Sequence, residues 1–223
     1  VSPGRFKYDG LKELLPVVPV AASAFVLIGR PDLPAANAAE LVKLVRSQPG
    51  KLNIGTDGVG TSLHVTAEML KQKAGLDIVH VPYKSGPQVL TELAGGQIDL
   101  AVLPVALAQG MVRDGKVKAY GVTSRQRAAT LPDTPSLSDT PEFAGLDVLA
   151  WQGLLLPAGT DPAIAGRLAR EMAAVLAEPD TQRRLADAGF SPMAMTQAQF
   201  IDYLAREKKD LAATIAAARI HVD

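Results

Sequence analysis

The chain has 223 residues, enough for one large or two small domains with a hydrophobic core. Apolar residues make up 48% and charged residues 21%, which is typical of globular proteins, and 23 basic residues balance 23 acidic ones. With no net charge and only 4% aromatic residues, the chain lacks the basic, aromatic surface of a nucleic-acid-binding protein. The absence of cysteine excludes disulfides, thiolate metal sites and cysteine nucleophiles.

Strand-type and helical segments alternate along most of the chain. A long β-type run covers residues 17–28, and Asn37 can cap the helix that follows it. Shorter β-type runs are predicted at 52–55, 78–81, 98–105 and 117–122, with helices at 62–74, 87–94 and 106–113. This alternation predicts an α/β fold with a mostly parallel sheet. A second long β-type run at 148–156, followed by helical patterns, indicates a chain that crosses into a second lobe and later returns.

A glycine-rich loop lies between the β-type run at 52–55 and the helix at 62–74. Gly58 and Gly60 let the backbone approach a ligand closely, and the first turn of the helix presents unpaired N–H groups at the positive end of its dipole. Hydroxyl groups of Thr56, Thr61 and Ser62 add further hydrogen-bond donors. The pattern fits two interpretations, a site for a carboxylate or phosphate oxygen and a turn with a threonine or serine cap.

The loop does not match the common nucleotide-binding motifs. A P-loop needs a lysine directly before its serine or threonine, and here Gly60 precedes Thr61. The pattern G-x-G-x-x-G also fails, because Leu63 lies where its third glycine would be. Histidine spacing of the H-x-x-x-H type is absent as well. The sequence therefore predicts no nucleotide, cofactor or metal.

Other polar residues beside this loop are candidates for ligand contacts. Asp57 lies within it, and His64 lies in the first helical turn, where it either caps the helix or contacts the ligand. Tyr83 and Lys84 follow the strand at 78–81, where open α/β sheets place ligand contacts, and a packed tyrosine beside a solvated lysine is the alternative. No Ser-His-Asp grouping can be argued from the order of residues, so no catalysis is predicted.

Several linked motifs run through the chain in a fixed order. LNIGTDGVGTSLH at 52–64 is followed by HVPYK at 80–84 and GGQID at 95–99. VTS at 122–124, LPDTP at 131–135, WQGL at 151–154 and PAGT at 157–160 come after them. Together these motifs closely resemble the Bug-type receptors, the TctC-like substrate-binding proteins of tripartite tricarboxylate transporters. The resemblance covers the chain from about Tyr8 onwards.

The resemblance implies a two-lobed receptor of the periplasmic-binding-protein type II kind, with an α/β sheet in each lobe and the ligand between them. In the family, the glycine-rich loop holds one carboxylate through backbone N–H groups and hydroxyls. That role is carried over to Thr56, Gly58, Gly60, Thr61 and Ser62, which match the motif. Such receptors are periplasmic and non-catalytic. The expected partners are therefore a small carboxylate and the membrane permease subunits, with no nucleic acid.

The sequence departs from the family pattern in two places. Members begin with a further segment that supplies the opposing wall of the site. The chain starts without that segment and without a signal peptide, so a mature, a cytosolic and a truncated protein are alternatives, and the resemblance favours truncation. Where members have a Phe-Asp-Asn-like stretch, this chain has Val102, Leu103 and Pro104. Leu103 and Pro104 are therefore candidate apolar contacts, which favour a less polar acid over an acidic amino acid.

The expected architecture follows from the resemblance and the two long β-type runs. Lobe II is predicted over residues 29–152, and lobe I over 1–28 and 153–223 without its first βαβ segment. The fold class is thus α/β, with two lobes of which lobe I is incomplete. The uncovered sheet edge of lobe I leaves open an association through that edge.

Two other functions remain as alternatives. The effector domain of a transcription regulator has a similar two-lobe fold, but no DNA-binding helix pair is visible in the sequence. An enzyme acting on small acids would need converging acid/base groups or a metal site, and the sequence shows neither. The coding sequence upstream would separate receptor from regulator, through a signal peptide or a helix-turn-helix.

Overall fold

The computed structural model describes residues 10–221. Its strands are β1 Leu14–Gly29, β2 Asn53–Thr56, β3 Val79–Pro82, β4 Leu100–Pro104, β5 Lys118–Val122, β6 Leu149–Pro157 and β7 Ser191–Pro192. Its α-helices are α1 Gly10–Glu13, α2 Ala38–Ser47, α3 Ser62–Ala74, α4 Gly86–Ala94, α5 Val105–Arg113, α6 Pro162–Ala177, α7 Pro179–Asp187 and α8 Gln197–Ala218. Short 3-10 turns lie at Leu137–Asp139 and Pro141–Phe143.

The 16-residue strand β1 joins two groups of strands. Its residues 25–29 pair antiparallel with β4 on one side, and residues 26–29 pair with β5 on the other. Its residues 14–24 pair antiparallel with β6, and Ala21 and Ala22 also pair with β7. The register to β6 shifts just after Pro16 and just after Pro19, because proline has no N–H to donate to the ladder. One long strand is therefore shared by two sheets.

The sheet ordered β3-β2-β4-β1-β5 positions the glycine-rich loop. Strand β2 is parallel to β3 and β4, whereas β1 is antiparallel to β4 and β5. Strands β2, β3, β4 and β5 therefore run the same way and end at one edge. Four of the five strands of this sheet thus run in one direction, as predicted for a mostly parallel sheet, and β1 is the exception, since all its ladders are antiparallel. Strand β1 arrives from the second sheet at the carboxyl edge of the others and so runs against them, and hydrophobic pattern alone carries no information on direction.

The main hydrophobic core packs around this sheet. Its centre is β4, where residues 100–103 are completely buried, and helix α3 covers it with Leu63, Ala67, Leu70 and Ala74, the stripe spaced for a helix in the sequence. Burying a large aliphatic side chain contributes about 1.5–3 kcal/mol, so this stripe fixes the position of α3 against the sheet. The helix begins after Thr61 and ends at Gly75, whose φ of 60° suits a glycine.

The region around β6 and α6 is more open. Ile164, Leu168 and Val175 on α6 are 54%, 37% and 45% exposed. Only a small cluster around Val17, Val18 and Ala165 packs beneath this helix in the described part of the chain. The apolar spacing of α6 thus marks a face that these residues leave largely uncovered.

Helix α8 connects the C-terminal part of the chain to the loop-bearing sheet. The side-chain Nε2 of Gln72 on α3 donates to the carbonyl of Thr214 on α8 at 3.1 Å. The predicted lobe boundaries at 28/29 and 152/153 fall within β1, which the two sheets share, and within β6, which pairs with β1 in the second sheet. That division into lobes stays a prediction, and residues 1–9 and 222–223 of the predicted lobe I lie outside the described residues.

Candidate functional site

The loop between β2 and α3 is a tight turn that ends in a threonine cap. Gly58 and Gly60 have φ angles of 135° and 77°, a region that residues with a Cβ rarely adopt. Thr61 is the N-cap of α3, and its hydroxyl accepts from the His64 N–H at 3.2 Å and donates to the Gly58 carbonyl at 3.1 Å. The buried Thr56 at the end of β2 places its hydroxyl 3.4 Å from the same carbonyl.

The start of α3 presents a row of unpaired amides. Among residues 10–221, no hydrogen bond leaves the N–H of Thr61, Ser62 or Leu63, whereas the next amides along the helix are bonded to Thr61. Ser62 is exposed and Thr61 half-buried, whereas Leu63 is buried, so the row begins at the surface and leads into the core. Unpaired N–H groups at the positive end of a 13-residue helix form a site suited to an anion.

The amide of Gly60 points away from this row. It donates to His64 Nδ1 at 3.0 Å, and the His64 ring is buried beneath the loop. The family resemblance gave Gly60 a direct part in holding the carboxylate through its N–H. In this structure Gly60 shapes the loop, while its N–H is engaged with the protein itself.

The imidazole rings of His64 and His80 are stacked under the loop. Their centroids are 3.8 Å apart with an interplanar angle of 8°, and His80 Nε2 lies 2.7 Å from the Thr56 hydroxyl. Burial, followed by the nearby charges of His64 and Lys71, lowers the pKa of His80 to about 4. Burial also lowers the pKa of His64, with Glu68 acting in the opposite direction and Lys71 in the same one. Both rings are therefore neutral at pH 7 and act as hydrogen-bonding groups rather than as cations.

Asp57 is the acidic member of the loop. Its Oδ1 is buried and has no hydrogen-bond partner in the described part of the chain. A carboxylate only accepts hydrogen bonds, so Asp57 can contact a ligand through a ligand N–H or O–H and not through the ligand's carboxylate. Its contact with a ligand stays a prediction.

Tyr83 and Lys84 follow β3 at the same edge of the sheet. The Tyr83 N–H donates to the Thr56 carbonyl at 2.8 Å, which ties this loop to the base of the glycine-rich loop. A Cβ on Gly55 would lie 2.5 Å from Ile98 Cδ1 and 3.1 Å from Val89 Cγ1, so glycine at that position leaves room for these side chains, and the Tyr83 ring packs beside them. Burial raises the pKa of the Tyr83 hydroxyl, with a smaller contribution from Glu92. Lys84 is exposed, and its ammonium group has no ion-pair partner in the described range.

Leu103 and Pro104 end β4 at this edge but differ in accessibility. Leu103 is completely buried within the main core, so its side chain does not line an open surface. Pro104 is half-buried and directly precedes α5, whose first residue is Val105. Pro104 therefore stays a candidate apolar contact at this edge, whereas the Leu103 side chain is inaccessible.

The contacts of His80 were not predicted from residue spacing. The His80 ring meets His64 because α3 packs back over the sheet after leaving β2, and β3 lies next to β2 with His80 opposite Ile54. A β2-α3-β3 unit of this kind places the first turn of the helix near the end of the second strand. Both histidines can be read from the sequence, so the order β2-α3-β3 is the signal from which their proximity could have been inferred.

A separate cavity lies on the other side of β1. It has a volume of about 310 Å³ and is lined mainly by residues 22–24, 124–130 and 189–193. Its polar wall is largely engaged in the protein's own contacts, since Arg127 donates to the Pro132 carbonyl and Arg125 pairs with Asp147. Part of the cavity lining comes from the segment after β5, whereas the glycine-rich loop follows β2, so the two are separate features.

Within residues 10–221, no group of histidine, aspartate and glutamate side chains is arranged to hold a metal ion. None of the helices in that range combines the length and apolar character that a bilayer crossing needs.

Residues 3–219 match the model of the tripartite tricarboxylate transporter family receptor, TctC. The chain therefore belongs to this receptor family, and the resemblance drawn from its linked motifs is confirmed. A UPF0065 protein from the tcbD-tcbE intergenic region of Pseudomonas sp. (strain P51) is 31% identical over 185 residues, covering 83% of this chain and 55% of that protein. The chain spans about half the length of the curated relatives it matches.

Solved structures confirm the fold class. The periplasmic binding protein BugD is 26% identical with a TM-score of 0.77, and the match covers 99% of this chain and 75% of BugD. MatC from Rhodopseudomonas palustris, solved with bound malate, is 25% identical with a TM-score of 0.76, covering 95% of this chain and 72% of MatC. The described residues thus have the α/β fold of periplasmic binding proteins. The family and these fold neighbours are binding receptors rather than enzymes.

Proposed function

We propose that this chain is the carboxylate-binding part of an extracytoplasmic solute receptor and that it holds one carboxylate at the start of α3. The observation that carries the proposal is the row of unpaired amides at Thr61, Ser62 and Leu63. Each hydrogen bond from such a group to a carboxylate is worth about 1.5–3 kcal/mol in a protected site. Membership of the TctC receptor family and the malate bound to MatC support the same ligand class.

The surrounding residues have different parts in this site. The Ser62 hydroxyl is exposed beside the amides and adds a donor, and Lys84 adds a positive field. Thr56, Gly58 and Gly60 hold the loop in shape from below. Tyr83 ties the neighbouring loop to the same base.

The apolar surface near the loop favours an acid that is not polar throughout. Val59 at the tip of the loop is 46% exposed, and Pro104 closes the end of β4. A second carboxylate or an aromatic ring of the ligand would extend past these residues toward the opposing wall of the site. Small dicarboxylates such as malate and simple aromatic acids are the classes to compare.

The receptor is proposed to act in the periplasm and to pass its ligand unchanged to membrane permease subunits. The imidazole nearest the proposed carboxylate, His64, uses Nδ1 to accept from Gly60 and lies beneath the loop. A proton-transfer step at the ligand has no evident agent among the described residues. We expect candidate acids to be recovered unchanged after incubation, and an excess of product over protein would contradict this.

The test removes one amide of the row without disturbing the helix. Ser62 is the first residue of α3, a position that tolerates proline, and Thr61 has φ −72° and ψ 165°, which suits a residue before proline. Ser62→Pro deletes the N–H, and the matched control Ser62→Ala keeps it. Calorimetric titration with malate and with benzoate should show a loss of at least about tenfold for Ser62→Pro relative to Ser62→Ala, which corresponds to about 1.4 kcal/mol. Equal affinities would place the ligand elsewhere.

A further inference from the structure

His64 forms only one of the two hydrogen bonds of an ordinary capping box. Its side chain makes the second bond with Gly60, the residue before the N-cap, instead of with the N-cap residue Thr61. In a capping box, the N-cap side chain accepts from the amide three residues on, and that residue's side chain accepts from the N-cap amide. In α3 the first bond is present, from the His64 N–H to the Thr61 hydroxyl at 3.2 Å. The second bond runs to His64 Nδ1 from Gly60 and not from Thr61. The Thr61 amide therefore stays without an internal partner among the described residues.

The orientation of the His64 ring is fixed from several sides. Because the Gly60 N–H donates to Nδ1, that nitrogen must be unprotonated, and the neutral ring carries its proton on Nε2, 3.9 Å from Glu68 Oε1. The stacked ring of His80 lies 3.8 Å away, and the Thr56 hydroxyl bonds to it at 2.7 Å. A ring held in this way cannot turn toward Thr61 without losing its contact with His80.

We infer that His64 is a positioning residue for the carboxylate site: it binds the Gly60 amide and so leaves the Thr61 amide available to the ligand. The inference rests on the proposed function, since it assigns a cause to the first amide of the proposed row. His64 touches the loop and not the ligand. A glutamine at the same position would be long and flexible enough to reach the Thr61 amide, complete the ordinary capping box and compete with the carboxylate.

The test replaces the hydrogen bond between His64 and Gly60 by an ordinary capping box at Thr61. In His64→Gln we expect the melting temperature to hold while malate affinity falls about tenfold, because only the fraction of molecules with a free Thr61 amide can bind. In His64→Asn the side-chain oxygen lies close to the place of Nδ1 and can accept from Gly60, so affinity should stay close to that of the unaltered receptor. His221→Gln, at an exposed position near the end of the described residues, is the matched control.

A spectroscopic measurement separates positioning from a general loss of structure. In ¹⁵N NMR spectra of the unaltered protein, the His64 ring should show the Nε2–H form at pH 7. Hydrogen exchange should protect the Gly60 amide more than the Thr61 amide. In His64→Gln the order of protection should reverse, since the Thr61 amide gains an internal partner.

The outcomes distinguish this inference from the proposed function. If malate or benzoate binds and Ser62→Pro weakens it, but His64→Gln binds as tightly as the unaltered protein, the positioning role is overturned and the carboxylate site stands. Unchanged protection of the Thr61 amide in His64→Gln also overturns the positioning role. If neither acid binds the unaltered receptor, the proposed function fails and the positioning role fails with it.

Discussion

Helices α3 and α8 both begin with a threonine cap, yet their first turns are closed differently. At α8 the Gln199 N–H donates to the Thr196 hydroxyl at 3.3 Å, and the Thr196 N–H donates to Gln199 Oε1 at 2.9 Å, so the capping box is complete. At α3 the corresponding side chain is His64, which accepts from Gly60 instead. The same cap thus leaves the N-cap amide paired in one helix and unpaired in the other.

The difference between the two helices shows how a helix start becomes a candidate binding site. Two features separate α3 from α8: a glycine with φ of 77° directly before the cap, and a ring that accepts from that glycine. At α8 the residue before the cap is Met195, which has no positive φ, and a flexible glutamine folds back onto the cap. A fully closed first turn stabilises a helix, whereas an open one can bind an anion at some cost in stability.

The largest effect is expected where the loop itself cannot form. Gly60→Val places a β-branched residue at φ 77° directly before the cap, and we expect malate binding to fall below detection by calorimetry. The matched control is Gly96→Val, since Gly96 has φ 72° and a Cβ added there would meet no atom within 4 Å. Both variants should lose about 1–2 kcal/mol of unfolding free energy, but only the first should lose binding. Full affinity in Gly60→Val would show that the loop is only a turn.

A smaller effect is expected from removing the two caps in turn. Thr61→Ala and Thr196→Ala should each cost about 1 kcal/mol of unfolding free energy, because each deletes an N-cap hydroxyl. Thr61→Ala should also weaken malate binding about tenfold, since the loss of its bonds to Gly58 and His64 loosens the row of amides. Parallel denaturation and calorimetry would measure both quantities. A loss of affinity in Thr196→Ala of the same size would remove the distinction between the helices.

Much of the fold was predictable because local pattern and chain order determine it. The strand and helix periodicities located β2, α3, β3, α4, β4 and α5 to within one or two residues, and the two long β-type runs proved to be the strands that pair with each other. The direction of β1 was not predictable, since its continuous apolar run is the same in either direction. The short strand β7, at residues 191–192, has no periodic signal and forms through pairing with Ala21 and Ala22.

The location of the candidate site was predictable from the sequence, whereas its hydrogen-bond partners were less so. Glycines before a threonine cap fitted either an anion-binding loop or a capped turn, and the Thr61 cap is present. The partner of each amide depends on side-chain geometry across elements, which sequence spacing does not specify. His64 was left between capping and ligand contact, and His80 was assigned no part, because their stacking needs α3 to fold back beside β3. Leu103 was grouped with Pro104, although alternate residues of a strand face opposite ways and only Pro104 reaches the edge.

The two helix starts also differ in whether they can contribute to the pH dependence of stability, because the His64 side chain can be protonated and the Gln199 side chain cannot. The charged groups facing the stacked rings are Glu68 and Lys71. The folded-state pKa of His80 is about 4 and that of His64 is also lowered, so the unfolded chain binds more protons below its ordinary histidine pKa of 6.5. The unfolding free energy should therefore fall as pH decreases from 6.5 toward 4.

Urea denaturation at several pH values would test this. His80→Phe keeps a flat ring against His64 and removes one titrating group, so its unfolding free energy should decline less steeply over that range. His221→Phe, at an exposed histidine, is the control and should follow the unaltered protein. Parallel slopes for all three proteins would show that the stacked pair makes no contribution to acid sensitivity.

The smallest expected effect concerns how much side-chain charge, rather than backbone amides, contributes to ligand affinity at the start of α3. Lys84 is exposed after β3, so its attraction for a carboxylate is weakened by solvent and by salt. Lys84→Ala should reduce malate affinity about two- to threefold at low ionic strength, and hardly at all at 0.15 M, where the Debye length is about 8 Å. Lys51→Ala is the matched control, because Lys51 is exposed just before β2, at the opposite edge of the sheet. A tenfold loss in Lys84→Ala that persists in salt would mean that the lysine binds the carboxylate directly, and the amides of α3 would then hold a smaller share of the ligand than their geometry indicates.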